Sequence, residues 1–153
     1  MAKSASPRLM IDFSDRAGAL REQYNDCFGC GLANPIGLHL DSFIAGDNQL
    51  SASFTPRPEY RGFAGVLHGG ILAALLDEIL AWTAMLLEGT FVVTAGLEIK
   101  YRNPAPTGVT YTARGEVIER RGRRLQIAGS VTAAEKVVAE ATGLFLATGP
   151  VAV

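Results

Sequence analysis

The stretch from Gly70 to Leu87 constrains this chain more than any other. Fourteen of its 18 residues are apolar, and nothing breaks the run before Gly89. Leu, Ala and Met dominate, which favours helix over strand. At 1.5 Å per residue such a helix is about 27 Å long. Apolar positions occur all round it, so it has to be buried on most sides. A lone helix cannot bury itself, and the rest of the 153 residues must wrap it. A bilayer is the other home for such a helix. Asp77 and Glu78 lie in its middle, however, and acids at the centre of a membrane span cost several kcal/mol.

The segments that follow supply the wrapping. Phe91 to Tyr101, Val109 to Glu119, Arg124 to Ala133 and Val137 to Ala147 read as four strands. Asn103-Pro104-Ala105-Pro106-Thr107-Gly108, Arg121-Gly122-Arg123 and Ala134-Glu135-Lys136 separate them. Connections this short make antiparallel neighbours. Upstream, Leu38 to Ile44 and Leu50 to Thr55 alternate on either side of the turn signal Gly46-Asp47-Asn48, so they read as a hairpin. The sum is a six-stranded antiparallel sheet around one long helix, an α+β layout. Asp15 to Gln23 reads as a short helix capped by Ser14 or Asp15. Residues 1–12 are expected to be frayed, and 26–37 and 56–65 to be loops. The length fits one domain, 1–153, with 1–25 as a loosely defined or short helical N-terminal segment.

Composition narrows the class. Charged residues are 19% against a usual figure of about 25%, which suggests that some surface is covered by another copy. Fourteen basic residues face 15 acidic ones, so the basic excess of a nucleic-acid binder is missing. Met1 to Asp15 has no apolar run before a cleavage site, and no secretory leader is expected. The expectation is a cytoplasmic homo-oligomer without nucleic-acid or membrane partners.

Gly65-Val66-Leu67-His68-Gly69-Gly70 leads directly into the apolar helix. Two glycines let a backbone approach a ligand closely. The first N–H groups of a helix have no intrahelical partner, and the helix dipole adds positive character there. Such an end can hold a carbonyl oxygen that becomes negative during reaction; it can equally be a tight turn into the sheet. Asp77 comes nine residues after His68, two and a half turns on. An unpaired buried carboxylate is costly, so Asp77 is either paired or faces a polar cleft. In a cleft it could activate water or attack a carbonyl.

His68-Gly69-Gly70 with Asp77 in a long apolar helix resembles the hotdog-fold acyl-CoA thioesterases, in the phenylacetyl-CoA thioesterase-like branch. The resemblance runs from about Asn34 to Ala147. It takes in Lys100-Tyr101-Arg102-Asn103-Pro104-Ala105-Pro106-Thr107-Gly108, and the opening Cys27-Phe28-Gly29-Cys30-Gly31 with Asn34-Pro35 and Gly37-Leu38. It implies a curved sheet around the helix, dimers joined edge to edge and often paired into tetramers, and active sites between subunits. It further implies hydrolysis of an acyl-CoA thioester. The Gly69 N–H would polarise the carbonyl, and Asp77 of the other subunit would be nucleophile or general base. His68 would complete the catalytic set with Gly69 and Asp77, or would only brace the turn. Gly62 stands where some relatives carry an Asn or Gln that helps place water or the carbonyl.

Other groups are weighed beside these. Cys27-x-x-Cys30 with His39 lacks a fourth zinc ligand in suitable spacing, so no metal and no redox cofactor is expected; coenzyme A enters only as part of the substrate. The cysteines read as buried or loop thiols, and His39 as a strand residue. Arg120-Arg121-Gly122-Arg123-Arg124 is either a solvated turn or a clamp for coenzyme A phosphates, in which Arg121, Arg123 and Arg124 would bind the anion. Arg61, Gly70 and Trp82 are further candidates for substrate contact. Two rival activities stay open: non-catalytic binding of acyl-CoA or of a lipid or aromatic ligand, and hydration of an enoyl thioester. A purely structural oligomer is a third.

Overall fold

The structure, a computed structural model, describes residues 11–12 and 14–151. In chain order the elements are β1 (Ile11–Asp12), α1 (Ser14–Gln23), β2 (Asp41–Gly46), β3 (Gln49–Phe54), a 3-10 turn (Pro58–Tyr60), α2 (Gly69–Leu87), β4 (Thr90–Tyr101), β5 (Tyr111–Arg121), β6 (Arg124–Ala133) and β7 (Lys136–Pro150). One antiparallel sheet has the order β1-β2-β3-β5-β6-β7-β4. The six expected strands are present, and the two-residue β1 extends the edge beside β2. Ile11 and Asp12 are therefore paired, not frayed. The rest of the expected frayed stretch, and the Ser14 or Asp15 side-chain cap, lie outside the described residues.

α2 lies across the concave face of the sheet. Leu72, Leu75, Leu76, Ile79, Leu80, Trp82, Thr83 and Leu86 are buried on it. They meet Phe43, Leu50, Phe54, Tyr111, Leu125, Ile127 and Phe145 of the sheet in one core. The helix is long and apolar enough to cross a membrane by length and composition, yet its apolar surface is taken up by strands. One stripe is less covered than the all-round apolar pattern implies: Gly70 is exposed, and Ala74, Asp77, Ala81 and Met85 are half-buried. A single open sheet curls round only part of a helix.

The sheet approaches α2 most closely at Gly115 of β5 and Gly129 of β6, which pair directly. A Cβ on Gly115 would overlap Thr83 Oγ1, and one on Gly129 would overlap the Arg114 carbonyl and Leu80. Thr83 spends its hydroxyl inside the helix, donating to the Ile79 carbonyl at 2.7 Å. The helix thus seats a polar side chain in the sheet without leaving it unsatisfied.

Two departures from simple alternation matter. β2 begins at Asp41, not Leu38, because His39 has positive φ (52°); Ser42 (φ 59°) sits inside β2 where its register with β3 shifts. His39 is accordingly a loop residue. In β4 the register shifts between Thr94 and Gly96, so Ala95 is the extra residue of a bulge. The inward-facing set changes from Val92 and Thr94 before it to Leu97, Ile99 and Tyr101 after it, as their contacts with core and helix show. A bulge re-aims side chains in this way.

The contact at Gly115 is testable. Gly115→Ala should lower stability by about 1–3 kcal/mol through overpacking, read as a lower urea midpoint. Thr83→Ala in the same chain should recover part of that loss, whereas equal midpoints for Gly115→Ala and wild type would remove the contact from the account of the fold.

Candidate active site

The sequence turns into α2 through a capped helix start. His68 has extended backbone (φ −64°, ψ 134°), and its Nδ1 accepts the Gly70 N–H at 2.9 Å. With Nδ1 accepting, the neutral ring carries its proton on Nε2. The Ile71 and Leu72 N–H groups both reach the His68 carbonyl, at 3.0 and 3.4 Å. Of the four orphan donors of a helix start, only the Gly69 N–H has no partner among the described residues. A Cβ on Gly70 would come 3.0 Å from His68 Nδ1 and crowd the capping ring. Gly69 has ordinary room, 3.6 Å from the Tyr101 ring. Tyr101 donates its hydroxyl to the Gly69 carbonyl at 2.8 Å, tying the end of β4 to the first turn of α2.

Asp77 is half-buried on the open stripe of α2. Thr94 Oγ1 donates to its Oδ1 at 2.7 Å, which leaves Oδ2 without a bond among the described residues. Eight residues of helix separate Gly69 from Asp77, about 12 Å along the axis. One chain therefore does not bring the free N–H and the carboxylate to the same atom. Both lie against β4, through Tyr101 and Thr94; among the described residues β4 pairs with β7 alone and is an edge of the sheet. Val93 and Tyr101 on that strand are more than half exposed.

Glu78, turned about 100° from Asp77, meets different surroundings. Trp82 Nε1 donates to its Oε1 at 3.0 Å, and Cys30 bonds it from the N-terminal loop. Burial raises the Glu78 carboxyl above the usual carboxylate range despite these two bonds. Burial first, and the Glu78 charge next, push the Cys30 thiol up.

The remaining candidates are dispersed. Trp82 is 1% exposed, with its ring 4.7 Å from Phe43, so it is a core residue and not part of an open wall. Arg120 pairs with Glu88 beyond the C-terminal end of α2, which puts the arginine turn at the opposite end of the helix from Gly69. Arg121 pairs with Glu119 at 2.7 Å, and Arg123 donates to the Ala147 carbonyl at 3.0 Å. Arg121 and Arg124 open into a cleft of about 570 Å³ with Glu98, Gln126 and Leu144. Arg61 is exposed, and its backbone pairs with Leu67 beside the motif. Gly62 abuts the His68 backbone: a Cβ there would lie 3.2 Å from His68 Cα. His39 contacts the Asn34 carbonyl at 2.6 Å and Arg57 at 3.0 Å, which pins the N-terminal loop to the segment before the motif.

Thr94 and Tyr101 hold the two ends of the site, and neither was singled out from the sequence. Counting by twos back from Tyr101 puts Thr94 on the outer face; only the bulge at Ala95 turns it inward.

Comparison with known proteins bears on the family and the fold. The profile described as Thioesterase superfamily matches residues 64–140, from the motif loop into β7. The bovine (Bos taurus) acyl-coenzyme A thioesterase THEM4 is 28% identical over 126 residues, covering 80% of this chain and 52% of that protein. The mouse (Mus musculus) acyl-coenzyme A thioesterase THEM5 is 36% identical over 96 residues, 61% of this chain and 38% of its own length. The chain thus spans about half the length of these curated relatives, or less. Among solved structures, the thioesterase superfamily protein RHA08564 superposes with a TM-score of 0.69 at 27% identity, over 80% of this chain and 60% of that one. A hypothetical thioesterase from Streptococcus pneumoniae, solved with coenzyme A, has a TM-score of 0.65 at 23% identity over 69% and 83% of the two chains, a likeness of fold alone. With the profile covering half the chain and α2 wrapped in the hotdog manner, this chain belongs to the thioesterase superfamily.

Proposed function

We propose that two copies of this chain join along β4 and hydrolyse acyl-CoA thioesters in sites shared between them. The observation that carries the reading is the separation of about 12 Å between Gly69 and Asp77 within one helix, with both residues bonded to the same edge strand, β4. A twofold dimer places the same patch of each copy against the other, so Gly69 of one copy can meet Asp77 of the second. A long exposed edge strand is also a liability that such pairing removes.

In this reading the thioester carbonyl accepts the free Gly69 N–H at the positive end of α2. Asp77, oriented by Thr94, takes a proton from water through Oδ2 as the water oxygen bonds to the carbonyl carbon. Negative charge collects on the oxygen held at Gly69. Collapse breaks the carbon–sulfur bond, and the coenzyme A thiolate leaves and is protonated. Direct attack by Asp77, followed by hydrolysis of the resulting anhydride, uses the same geometry. His68 keeps Gly70 occupied, so the Gly69 donor stays free. Arg61, beside the motif, is the nearer cation for the coenzyme A end. Arg121, Arg123 and Arg124 reach a site only from another copy. The named relatives are acyl-coenzyme A thioesterases, which supports the substrate class.

Gly62 favours a second reading. It offers no side chain next to His68, so water would have to be placed by Asp77 alone. A protein that binds acyl-CoA without cleaving it would result if that were insufficient.

Thiol release from a panel of acyl-CoAs, corrected for Cys27 and Cys30, separates the two. Asp77→Asn should lower turnover by about 100-fold or more while remaining folded. Near-normal turnover in that variant would sink the mechanism, and tight binding with no release in wild type would select the second reading.

The sharing of sites has its own test. Gly69→Pro removes the free N–H, and Pro suits the first helical position after an extended residue such as His68. It should cost about 10²–10³ in kcat. Coexpressed with Asp77→Asn, it should restore about a quarter of wild-type activity, because in a twofold dimer half the pairs are mixed and each has one intact site. Activity no higher than that of the two variants would show that Gly69 and Asp77 are not shared between two copies. In steady-state kinetics, Arg61→Ala should raise KM more than Arg121→Ala does; the reverse order would assign the coenzyme A end to the arginine turn.

A further inference from the structure

We propose that Cys27, Cys30 and Glu78 form a metal site that takes one zinc ion and fastens the N-terminal loop to α2. The two Sγ atoms and a Glu78 carboxylate oxygen lie within 4.8 Å of one another. Zinc bonds of 2.0–2.3 Å in tetrahedral array put such donors roughly 3.5–3.8 Å apart. Closing the gap takes about 1 Å of side-chain movement.

The loop leaves space for this convergence. A Cβ on Gly29 would overlap the Glu78 carboxylate, and one on Gly31 would overlap the Asn25 carbonyl and the Cys27 backbone. The residues on both sides of Cys30 are thus glycine because the carboxylate and the folded-back chain occupy those volumes. The Gly31 N–H donates to the Cys27 carbonyl at 2.8 Å and closes the turn. Leu38 N–H to the Phe28 carbonyl, at 2.7 Å, and Leu40 N–H to the Gly29 carbonyl, at 3.2 Å, hold its base. The donors are therefore set by a built loop.

Glu78 is held as a metal carboxylate is held. Trp82 Nε1 fixes its Oε1 at 3.0 Å and leaves Oε2 for the ion, the outer bonding that orients ligands in metal sites. Two sulfurs with one oxygen select zinc over magnesium or calcium. His39 is committed to Asn34 and Arg57, so a water on the half-buried Cys27 side completes the four. Each thiol gives its proton to solvent as its sulfur binds. The site lies on a face of α2 different from that of Asp77, and it plays no part in the proposed hydrolysis.

The test is cobalt binding to the full chain, stripped of metal and fully reduced. One cobalt per chain should bind with a thiolate-to-cobalt charge-transfer band, and zinc should displace it. Cys27→Ser should weaken binding tenfold or more and reduce the band. Glu78→Gln should weaken binding tenfold or more and keep the band, because both sulfurs remain. Far-ultraviolet circular dichroism establishes that each variant is folded; Cys27 is half-buried, so its serine variant is the mild one. No thiolate band at one equivalent of cobalt would overturn the proposal, as would equal binding by wild type and both folded variants. The readout is metal binding, so it is independent of thiol-release activity.

Discussion

The seating of α2 on the paired glycines 115 and 129 is the contact on which the rest of the structure depends. It draws the helix axis against β5 and β6 and fills the concave face with Leu72, Leu76, Ile79 and Leu80. A sheet that grips a helix this closely at its centre cannot also close over its far side. The stripe through Gly70, Ala74, Asp77, Ala81 and Met85 is what remains, and it runs beside the edge strand β4. Core packing and the open site are thus two consequences of one geometry.

The same constraint explains which parts of the molecule were legible in the sequence. α2 was read from Gly70 and begins at Gly69; β6 was read at its observed bounds. Both are bracketed by glycine or turn residues, so local pattern suffices. The start of β2 was misread because Leu38 and Leu40 are buried as loop residues, which imitates a strand's alternation. Thr94 was missed because a bulge inserts a residue that periodicity cannot see. Residue type makes Trp82 a candidate for substrate contact, but which way it points depends on how α2 meets Phe43 of β2; whether the arginine turn is solvated or a clamp depends on where the β5–β6 hairpin ends relative to α2. Cys27 and Cys30 appeared short of ligands because Glu78 is about 50 residues away in sequence and adjacent only after α2 has packed.

Asp77 and Glu78 show how strongly helical phase governs chemistry. They are neighbours of the same charge class, yet one rotation of about 100° separates their fates. Asp77 faces the open stripe, with one oxygen held by Thr94 and the other exposed to solvent or a second copy. Glu78 faces the loop, with one oxygen held by Trp82 and the other against Gly29. Exchanging Asp77 for an apolar residue would suit the core composition of α2 but would leave Thr94 without its acceptor. The proposed hydrolysis gives this carboxylate a task that packing alone does not require.

The helix start follows the same logic of committed and uncommitted groups. An ordinary Ser or Asp cap also binds the early N–H groups, and it does so with a flexible side chain. Here the His68 ring spans to Gly70 and its carbonyl takes the next two donors, so the first turn is satisfied except at Gly69. Tyr101 fixes the carbonyl of that same residue from β4. The one donor left over is consequently held rigid at both of its flanking peptide groups, at the positive end of a buried 19-residue helix. A fixed donor needs no reorganisation when charge develops on a bound oxygen, and that is the property an oxyanion site requires. Asp77 becomes useful to that donor only when a second copy carries it across β4. In the proposed dimer, the exposed edge and the separation of donor from carboxylate have one remedy, pairing along β4.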